Sequence, residues 1–138
     1  MKPHSFPTRV YYEDTDAGGV VYHANFIKFC ERARTELLRL MGFENKSLRE
    51  SQGILFVVRH INADYFKPGG LDDLLDVQTI VTQVKNTSLV MKHSICRNDE
   101  MLFSCHVTVV CVDAGSVKPV RIPEGLRPGF LKFLKKGD

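Results

Sequence analysis

The side chains best suited to chemistry are concentrated in one 11-residue segment near the start of the chain, residues 13–23. It holds three acids, two glycines and one histidine: Glu13, Asp14, Asp16, Gly18, Gly19 and His23. A carboxylate can act as a general base or as a nucleophile. Glycines let the backbone approach a ligand closely or adopt a positive φ. The segment is therefore a candidate catalytic loop.

A long helical pattern begins near Tyr22, directly after this loop. Apolar residues recur there with a period of about 3.6, and Gly42 follows where a left-handed cap belongs. The apolar stripe consists of Tyr22, Phe26, Phe29, Cys30, Ala33, Leu37, Leu40 and Met41. The first turn of a helix offers unpaired N–H groups and the positive end of the dipole, so it can stabilise a developing negative charge. A carboxylate beside such an oxyanion site is the smallest set of groups that can catalyse hydrolysis of an acyl bond.

The spacing of these residues leaves other interpretations open. An Asp-x-Asp sequence before a helix is typical of turns and caps, and the glycine pair could simply form a tight turn. Asp14, Asp16 and His23 could also ligate a divalent metal ion. His23 could be a histidine packed at a helix start. The residues alone do not decide between these interpretations.

The remaining sequence predicts mainly β-structure. Residues 6–12 alternate as a first strand, and Ser47-x-x-Glu50 has the capping-box spacing for a short second helix that Gly53 closes. Four further strands are predicted at 54–66, 74–84, 88–97 and 101–111. The inward face of the last is predicted to carry Met101, Phe103, Cys105, Val107, Val109 and Cys111. Because short connections require antiparallel pairing, we expect an α+β fold with one long helix on a curved antiparallel sheet of about five strands.

Length and composition predict one globular domain. The chain has 138 residues, of which 43% are hydrophobic and 25% charged. We place the core at residues 6–123 and interpret 124–138 as a C-terminal tail, whose basic segment covers residues 132–136. The net charge of +3 lacks the dense basic stripe of a nucleic-acid-binding protein. Because no apolar leader or 20-residue apolar stretch occurs, we expect a cytoplasmic protein without a transmembrane segment.

The spacing of the four cysteines fits neither a zinc site nor a disulfide framework. We therefore expect buried free thiols that behave as small hydrophobic groups. These residues are Cys30, Cys96, Cys105 and Cys111.

The run D-T-D-x-x-G-x-V-Y-H at residues 14–23, followed by residues 26–36, closely resembles the YbgC-type acyl-CoA thioesterases. These belong to the wider 4-hydroxybenzoyl-CoA thioesterase family of hotdog-fold proteins. The resemblance extends from about Phe6 to about Pro123 and includes the segments 71–74 and 111–113. It implies a hotdog fold over the single domain, in which the sheet wraps around the central helix.

The resemblance also implies an activity and roles for individual residues. The chain is expected to hydrolyse short- or medium-chain acyl-CoA thioesters, with aromatic or longer acyl groups as further candidates, without a metal ion or other cofactor. Asp16 corresponds to the family's catalytic carboxylate, as base or nucleophile. The backbone N–H near His23 corresponds to the group that polarises the carbonyl, and the His23 side chain is a candidate for positioning substrate or water. Asp14 is expected to order the loop rather than react.

Four residues are expected to shape the substrate site: Gly19, Val20, Tyr22 and Phe26. The last of these marks a departure from the family, whose members often continue the run as H-x-x-Y. Phe26 lacks that hydroxyl, although a structural role for an aromatic ring would survive the change. We do not expect the departure to alter the reaction class.

Expectations about partners complete the sequence-based picture. Five basic residues without obvious partners nearby in the sequence are candidates for holding the phosphates of CoA: Lys85, Lys92, Arg97, Arg121 and Arg127. Hotdog proteins pair their sheets, which implies a homodimer that assembles further into a homotetramer. One alternative function is dehydration of a carrier-bound hydroxyacyl chain. Another is a non-catalytic accessory role in the Tol–Pal envelope system or in lipid synthesis, with acyl-carrier proteins as partners and a peripheral location at the inner membrane.

Overall fold

The computed structural model describes residues 2–135. The strands are β1 (His4–Arg9), β2 (Ile54–Tyr65), β3 (Leu74–Val84), β4 (Ser88–Arg97) and β5 (Glu100–Asp113). The helices are α1 (His23–Leu40), α2 (Asn45–Ser47), which continues as a π-helical turn (Leu48–Gln52), and α3 (Arg127–Leu131). The sheet order is β1-β3-β4-β5-β2, and every neighbouring pair is antiparallel. The predicted α+β class, with five strands and one main helix, is confirmed.

Helix α1 packs on the sheet through the predicted apolar stripe. Five of the predicted residues are buried: Phe26, Phe29, Cys30, Ala33 and Leu37. The stripe is wrong at Tyr22, which precedes the helix, and at Leu40 in its last turn, because both are exposed. Met41, the last residue of the stripe, is partly buried against the core. Gly42 has φ +92°, so the predicted left-handed cap is confirmed.

The first strand is shorter at its end than the sequence predicted. β1 ends at Arg9 instead of continuing to Tyr12, and residues 12–14 form a 3₁₀ turn. The Asp14 carboxylate accepts a 2.9 Å hydrogen bond from the backbone N–H of Tyr11. This local side-chain contact competes with the strand ladder and turns the chain towards the acidic loop.

The capping-box prediction at Ser47 is wrong. The helix already begins at Asn45, and Ser47 has helical dihedral angles of φ −65° and ψ −40°. A capping residue needs extended backbone, so Ser47 cannot serve that role. Gly53 ends the segment with φ +64°, as predicted.

The predicted inward face of β5 is correct except at its start, although alternation ends at Val109 because residues 109–112 are all buried. Phe103, Cys105, Val107, Val109 and Cys111 are buried, whereas Met101 is 41% exposed. The pairing of β4 with β5 shifts between Ile95 and Cys96, and this irregularity places Leu102 in the core instead of Met101. A one-residue shift in register moves a side chain to the opposite face.

The C-terminal segment is more ordered than the predicted tail. Leu126 and Phe130 are buried, and the Phe133 carbonyl accepts a 2.9 Å hydrogen bond from the Val81 N–H in β3. Residues 124–135 therefore pack against the sheet. Lys136, the last residue of the predicted basic segment, lies outside the described residues.

The thiols follow the prediction with one difference. Cys30, Cys105 and Cys111 are buried and free, whereas Cys96 is only partly buried.

Candidate active site

The acidic loop is a small hairpin that ends at the start of α1. Thr15 forms an antiparallel bridge with Val21, and the Asp16 N–H donates to the Val20 carbonyl at 2.9 Å. The Gly19 N–H donates back to the Asp16 carbonyl at 3.0 Å, and Gly19 has φ +81°. A residue with a side chain adopts that φ only at a cost, so the tight turn explains this glycine.

Asp16 presents its carboxylate on the exposed turn of this hairpin. Its Oδ1 atom accepts a 2.8 Å hydrogen bond from the Gly18 N–H. Its Oδ2 atom accepts no hydrogen bond from residues 2–135. One oxygen is thus held by the loop, while the other is available to a substrate or a water molecule.

Asp14 has a structural role in the same loop. Its side chain is 2% exposed, and its two oxygens accept hydrogen bonds from the Tyr11 N–H and from the side-chain amide of Asn25, both at 2.9 Å. The Asp14 carbonyl accepts a further hydrogen bond from the Tyr22 N–H at 2.9 Å. These contacts occupy the carboxylate and agree with the expectation that Asp14 orders the loop.

His23 is the first residue of α1, and its side chain is exposed. Its ring lies 4.5 Å from the ring of Tyr22, centroid to centroid. The His23 carbonyl accepts a 2.9 Å hydrogen bond from the hydroxyl of Tyr65 at the end of β2. The Asn25 N–H already donates to the Tyr22 carbonyl at 2.8 Å, whereas the N–H groups of His23 and Ala24 have no acceptor within residues 2–135. These two groups can therefore donate to an anion or a polarised carbonyl.

The four predicted substrate residues fall into two groups. Gly19, Val20 and Tyr22 are exposed around Asp16. Phe26 is 3% exposed and stacks on Phe103, with ring centroids 5.2 Å apart and planes 5° apart. Phe26 therefore belongs to an aromatic cluster beneath the loop.

Tyr65 is a site residue that the sequence analysis missed. Its ring packs against Phe26 at 6.0 Å and Phe103 at 4.9 Å, and its hydroxyl reaches the first turn of α1. Phe26 carries no hydroxyl, whereas Tyr65, which packs against its ring, does. Nothing in the local sequence around residue 65 indicates this contact, since it joins residues 42 positions apart.

The connection between β2 and β3 supports the second arm of the hairpin. The Val21 N–H donates to the Gly69 carbonyl at 2.8 Å, and Val20 forms an antiparallel bridge with Gly70. A Cβ atom at position 69 would lie 3.0 Å from the Val21 side chain, which would have to shift by a few tenths of an ångström, so glycine allows the close approach of these segments.

The five candidate residues for CoA phosphates are not brought together. Arg127 donates to the carbonyls of Lys85 and Asn86, and Arg121 donates to the Asn86 side chain. This group lies by the β3–β4 turn, at the opposite end of β3 from the acidic loop. Lys92 lies in the middle of β4 opposite His106.

Three of these cations have a carboxylate partner nearby in the sequence, contrary to the expectation. Arg97 pairs with Glu100, and Arg121 and Arg127 both pair with Glu124, in each case three residues away. A phosphate would have to compete with these carboxylates for any of the three guanidinium groups.

A buried polar cluster lies beneath α1, away from the acidic loop. His93 is fully buried between the Thr79 hydroxyl at 2.8 Å and the Arg34 guanidinium at 3.2 Å. Since arginine only donates, the His93 Nε2 atom is the acceptor and its Nδ1–H faces Thr79. Burial, with the nearby Arg34 charge, lowers the pKa of His93 to about 3. The ring is therefore neutral at ordinary pH.

A cavity of about 300 Å³ adjoins Arg34. Its walls are mostly apolar and include Leu38 of α1, Phe56 of β2 and Phe130 of α3. None of the predicted site residues lines it.

Within residues 2–135, no group of three or more histidine, cysteine, aspartate or glutamate side chains is placed to hold a metal ion. Among the helices described there, none combines the length and apolar character needed to cross a bilayer.

Comparisons with known proteins identify the family of the chain and agree with its fold. The family model of the thioesterase superfamily matches residues 18–104. The chain belongs to this superfamily. "Acyl-CoA thioesterase YbgC" of Haemophilus influenzae is 49% identical over 126 residues, which cover 91% of this chain and 93% of that protein. "Acyl-CoA thioester hydrolase YbgC" of Escherichia coli O6:H1 is 46% identical with the same coverage.

A solved structure extends the comparison to the fold. The crystal structure of a probable thioesterase from Bartonella henselae matches with a TM-score of 0.84 at 36% identity. The match covers 88% of this chain and 99% of that one. The predicted hotdog fold and the predicted YbgC-type membership are thereby confirmed, as is the prediction of a hydrolase of the thioesterase class.

Proposed function

We propose that this thioesterase-superfamily member hydrolyses acyl-CoA thioesters, with Asp16 as the catalytic carboxylate. The observation that carries the proposal is the exposed Asp16 carboxylate on a tight turn that leads directly into α1. A negative charge that develops on the substrate carbonyl oxygen can be stabilised by the free N–H groups at the start of that helix. The backbone N–H of His23 is the proposed donor.

Two routes are open for the chemical step. As a general base, Asp16 takes a proton from water while the water oxygen bonds to the thioester carbon; the C–S bond then breaks, and the departing CoA thiolate receives the proton. As a nucleophile, an Asp16 oxygen bonds to the carbonyl carbon and expels CoA thiolate, and water hydrolyses the resulting anhydride. Both routes use the same donors and neither requires a metal ion.

Asp16 and the exposed residues beside it suggest the substrate class. Val20 and Tyr22 are 36% and 46% exposed, and they provide limited apolar surface next to the carboxylate. We propose short- or medium-chain acyl-CoA as the preferred substrate. A panel of acyl-CoA esters graded by chain length, with aromatic acyl groups included, measures this preference directly.

We further propose that the working unit is a homodimer or a higher assembly of dimers. β2 forms one edge of the sheet and has twelve residues whose only strand partner within residues 2–135 is β5. A long unpaired edge must be covered or paired. Sedimentation that detects a fully active monomer would contradict this proposal.

The decisive experiment compares CoA release by the wild type, Asp16→Asn and Glu13→Gln. Glu13 is an exposed acid in the same loop and serves as the matched control. Asp16→Asn should lower kcat by roughly 10²–10⁴-fold because the base or nucleophile is lost, whereas Glu13→Gln should keep near-normal turnover. Chelators should leave the wild type unchanged. Near-normal turnover by folded Asp16→Asn would remove the mechanism, and a wild type that releases no CoA from any ester would favour the accessory role.

A further inference from the structure

The connection between β2 and β3, residues 66–73, contacts both the acidic hairpin and the hairpin that joins β4 to β5. On one side it holds Val20 and Val21 through Gly69 and Gly70. On the other side it is held by the side chain of Arg97, the last residue of β4. The connection thus joins a surface ion network to the loop that carries Asp16.

Asp73 is the link between these two sides. Its Oδ2 atom accepts hydrogen bonds from both the Gly70 N–H and the Arg97 Nη1 atom, each at 2.8 Å. The Asp73 N–H also donates to the Gly70 carbonyl at 3.2 Å, so the turn is closed in both directions. The Gly70 hydrogen bond, together with Arg97, holds the pKa of Asp73 below its ordinary value, and the carboxylate stays ionised at neutral pH.

Arg97 is itself fixed by further contacts. Its Nη2 atom donates to Glu100 at 2.6 Å, and the other oxygen of Glu100 accepts from the Lys67 ammonium at 2.6 Å. We call this group of Lys67, Asp73, Arg97 and Glu100 the Arg97 clamp. It holds the connection at both of its ends, at residue 67 and at residue 73.

Partly exposed ion pairs contribute little to overall stability. The Arg97 clamp differs from such a pair because it ends on the backbone N–H of Gly70. Gly70 lies opposite Val20 in the antiparallel bridge, where the Gly69 carbonyl accepts the Val21 N–H at 2.8 Å. The Val20 carbonyl in turn accepts the N–H of Asp16 at 2.9 Å. A continuous series of contacts therefore runs from the guanidinium of Arg97 to the backbone of Asp16.

We propose that Arg97 and Asp73 are positioning residues for the reaction, because they fix the Gly69–Gly70 backbone that sets the place of the Asp16 turn against the start of α1. The proposal rests on the proposed function, since it assigns the reacting carboxylate to Asp16. It also gives Arg97 a role different from the expected binding of CoA phosphates. A phosphate-binding Arg97 would affect KM, whereas a positioning Arg97 affects kcat.

The test measures kcat and KM for CoA release by the wild type, Arg97→Met, Arg97→Lys and Asp73→Asn. Arg97→Met should lower kcat by about tenfold or more with KM changed less than about threefold, because a small displacement of a reacting group has a large effect on rate. Asp73→Asn should act in the same direction. Arg97→Lys should recover part of the loss, since the charge remains but the forked geometry is lost.

Arg39→Met is the matched control. Arg39 also pairs with a glutamate three residues away, Glu36, but it lies in the last turn of α1, far along the helix from His23. Its kcat should remain within about twofold of the wild type, as expected for an exposed ion pair.

Two further measurements separate positioning from a general loss of structure. In the Asp16→Asn background, Arg97→Met should cause no additional loss of residual rate, because the group being positioned is already gone. Amide hydrogen exchange at Val21 and Gly70 should be faster in Arg97→Met, while exchange within β4 and β5 stays unchanged. If Arg97→Met does not fold, the same measurements of kcat and KM on Arg97→Lys and Asp73→Asn test the proposal.

The possible results are distinct. An active wild type, an inactive Asp16→Asn and an Arg97→Met or Asp73→Asn enzyme with unchanged kcat would overturn the clamp and leave the proposed function intact. A raised KM with unchanged kcat would overturn it in favour of phosphate binding. An equally active Asp16→Asn enzyme would instead remove the proposed function.

Discussion

The side-chain amide of Asn25 donates a 2.9 Å hydrogen bond to the carboxylate of Asp14, and both side chains are buried. This contact joins the acidic loop to the first turn of α1 from beneath. It fixes the helix start relative to the hairpin on which Asp16 lies, two residues further along the chain.

Replacing Asn25 with alanine should therefore destabilise the protein measurably. The substitution leaves one oxygen of the buried Asp14 carboxylate without its donor, and such a loss costs about 1–3 kcal/mol of unfolding free energy. Urea unfolding measures this value. Lys118→Ala, at an exposed position after β5, is the control and should change stability by less than about 0.5 kcal/mol. Equal stabilities for the two variants would contradict the assignment.

Tyr65→Phe tests the hydroxyl that reaches the His23 carbonyl. The variant keeps the aromatic packing but loses one hydrogen bond, so the unfolding free energy should fall by about 0.5–1.5 kcal/mol. We expect kcat to fall by roughly three- to tenfold, because the first turn of α1 is held less firmly against the hairpin. Tyr12→Phe provides the comparison, since Tyr12 is highly exposed. If both variants have wild-type kcat, the Tyr65 hydroxyl has no part in the reaction.

Gly69→Ala tests the close approach of the two loops. The new Cβ would lie 3.0 Å from the Val21 side chain, so either the β2–β3 connection or the hairpin must move. Overpacking of this kind typically costs about 1–3 kcal/mol, and kcat should fall because Asp16 is displaced. Gly125→Ala places its Cβ at an ordinary 3.8 Å from Phe43 and should be tolerated. Crystallographic positions of Val20 and Val21 in the Gly69→Ala variant would show the displacement directly.

Because His93 is buried in its neutral form, we expect the free energy of unfolding to fall in acid. Its pKa is about 3 in the folded protein and near 6.5 when unfolded, so between these values the unfolded state binds the extra proton. The stabilisation is thus complete above about pH 6.5 and is lost as the pH falls towards about 3.

The slope of unfolding free energy with pH isolates this effect. His93→Gln should reduce the slope between about pH 4 and 6 by up to roughly 1.4 kcal/mol per pH unit relative to the wild type. Neighbouring groups that face the ring, Arg34 and His4, remain in both proteins and cancel in the comparison. Parallel slopes for the two proteins would contradict the assigned pKa.

Much of the fold was determined by local sequence patterns. The period of apolar residues in α1 and the alternation in β3 and β4 predicted those elements because each buries one face, and the boundaries of both strands agree with the structure. Gly42 and Gly53 marked helix ends because their positive φ is a local backbone property. The D-T-D run also marked the acidic loop that carries the proposed catalytic carboxylate, since its residues are close together in the chain.

Features that depend on contacts between distant segments were decided only by the tertiary structure. Met101 was assigned to the core because alternation alone cannot detect the shifted register opposite Cys96. Arg97 was a candidate for binding CoA phosphates because the local sequence does not reveal its contact with Asp73, which lies 24 positions away. Tyr65 reaches His23 across 42 positions. Periodicity reports which face of an element is buried, but hydrogen bonds between side chains and a distant backbone depend on how the sheet places those elements beside one another.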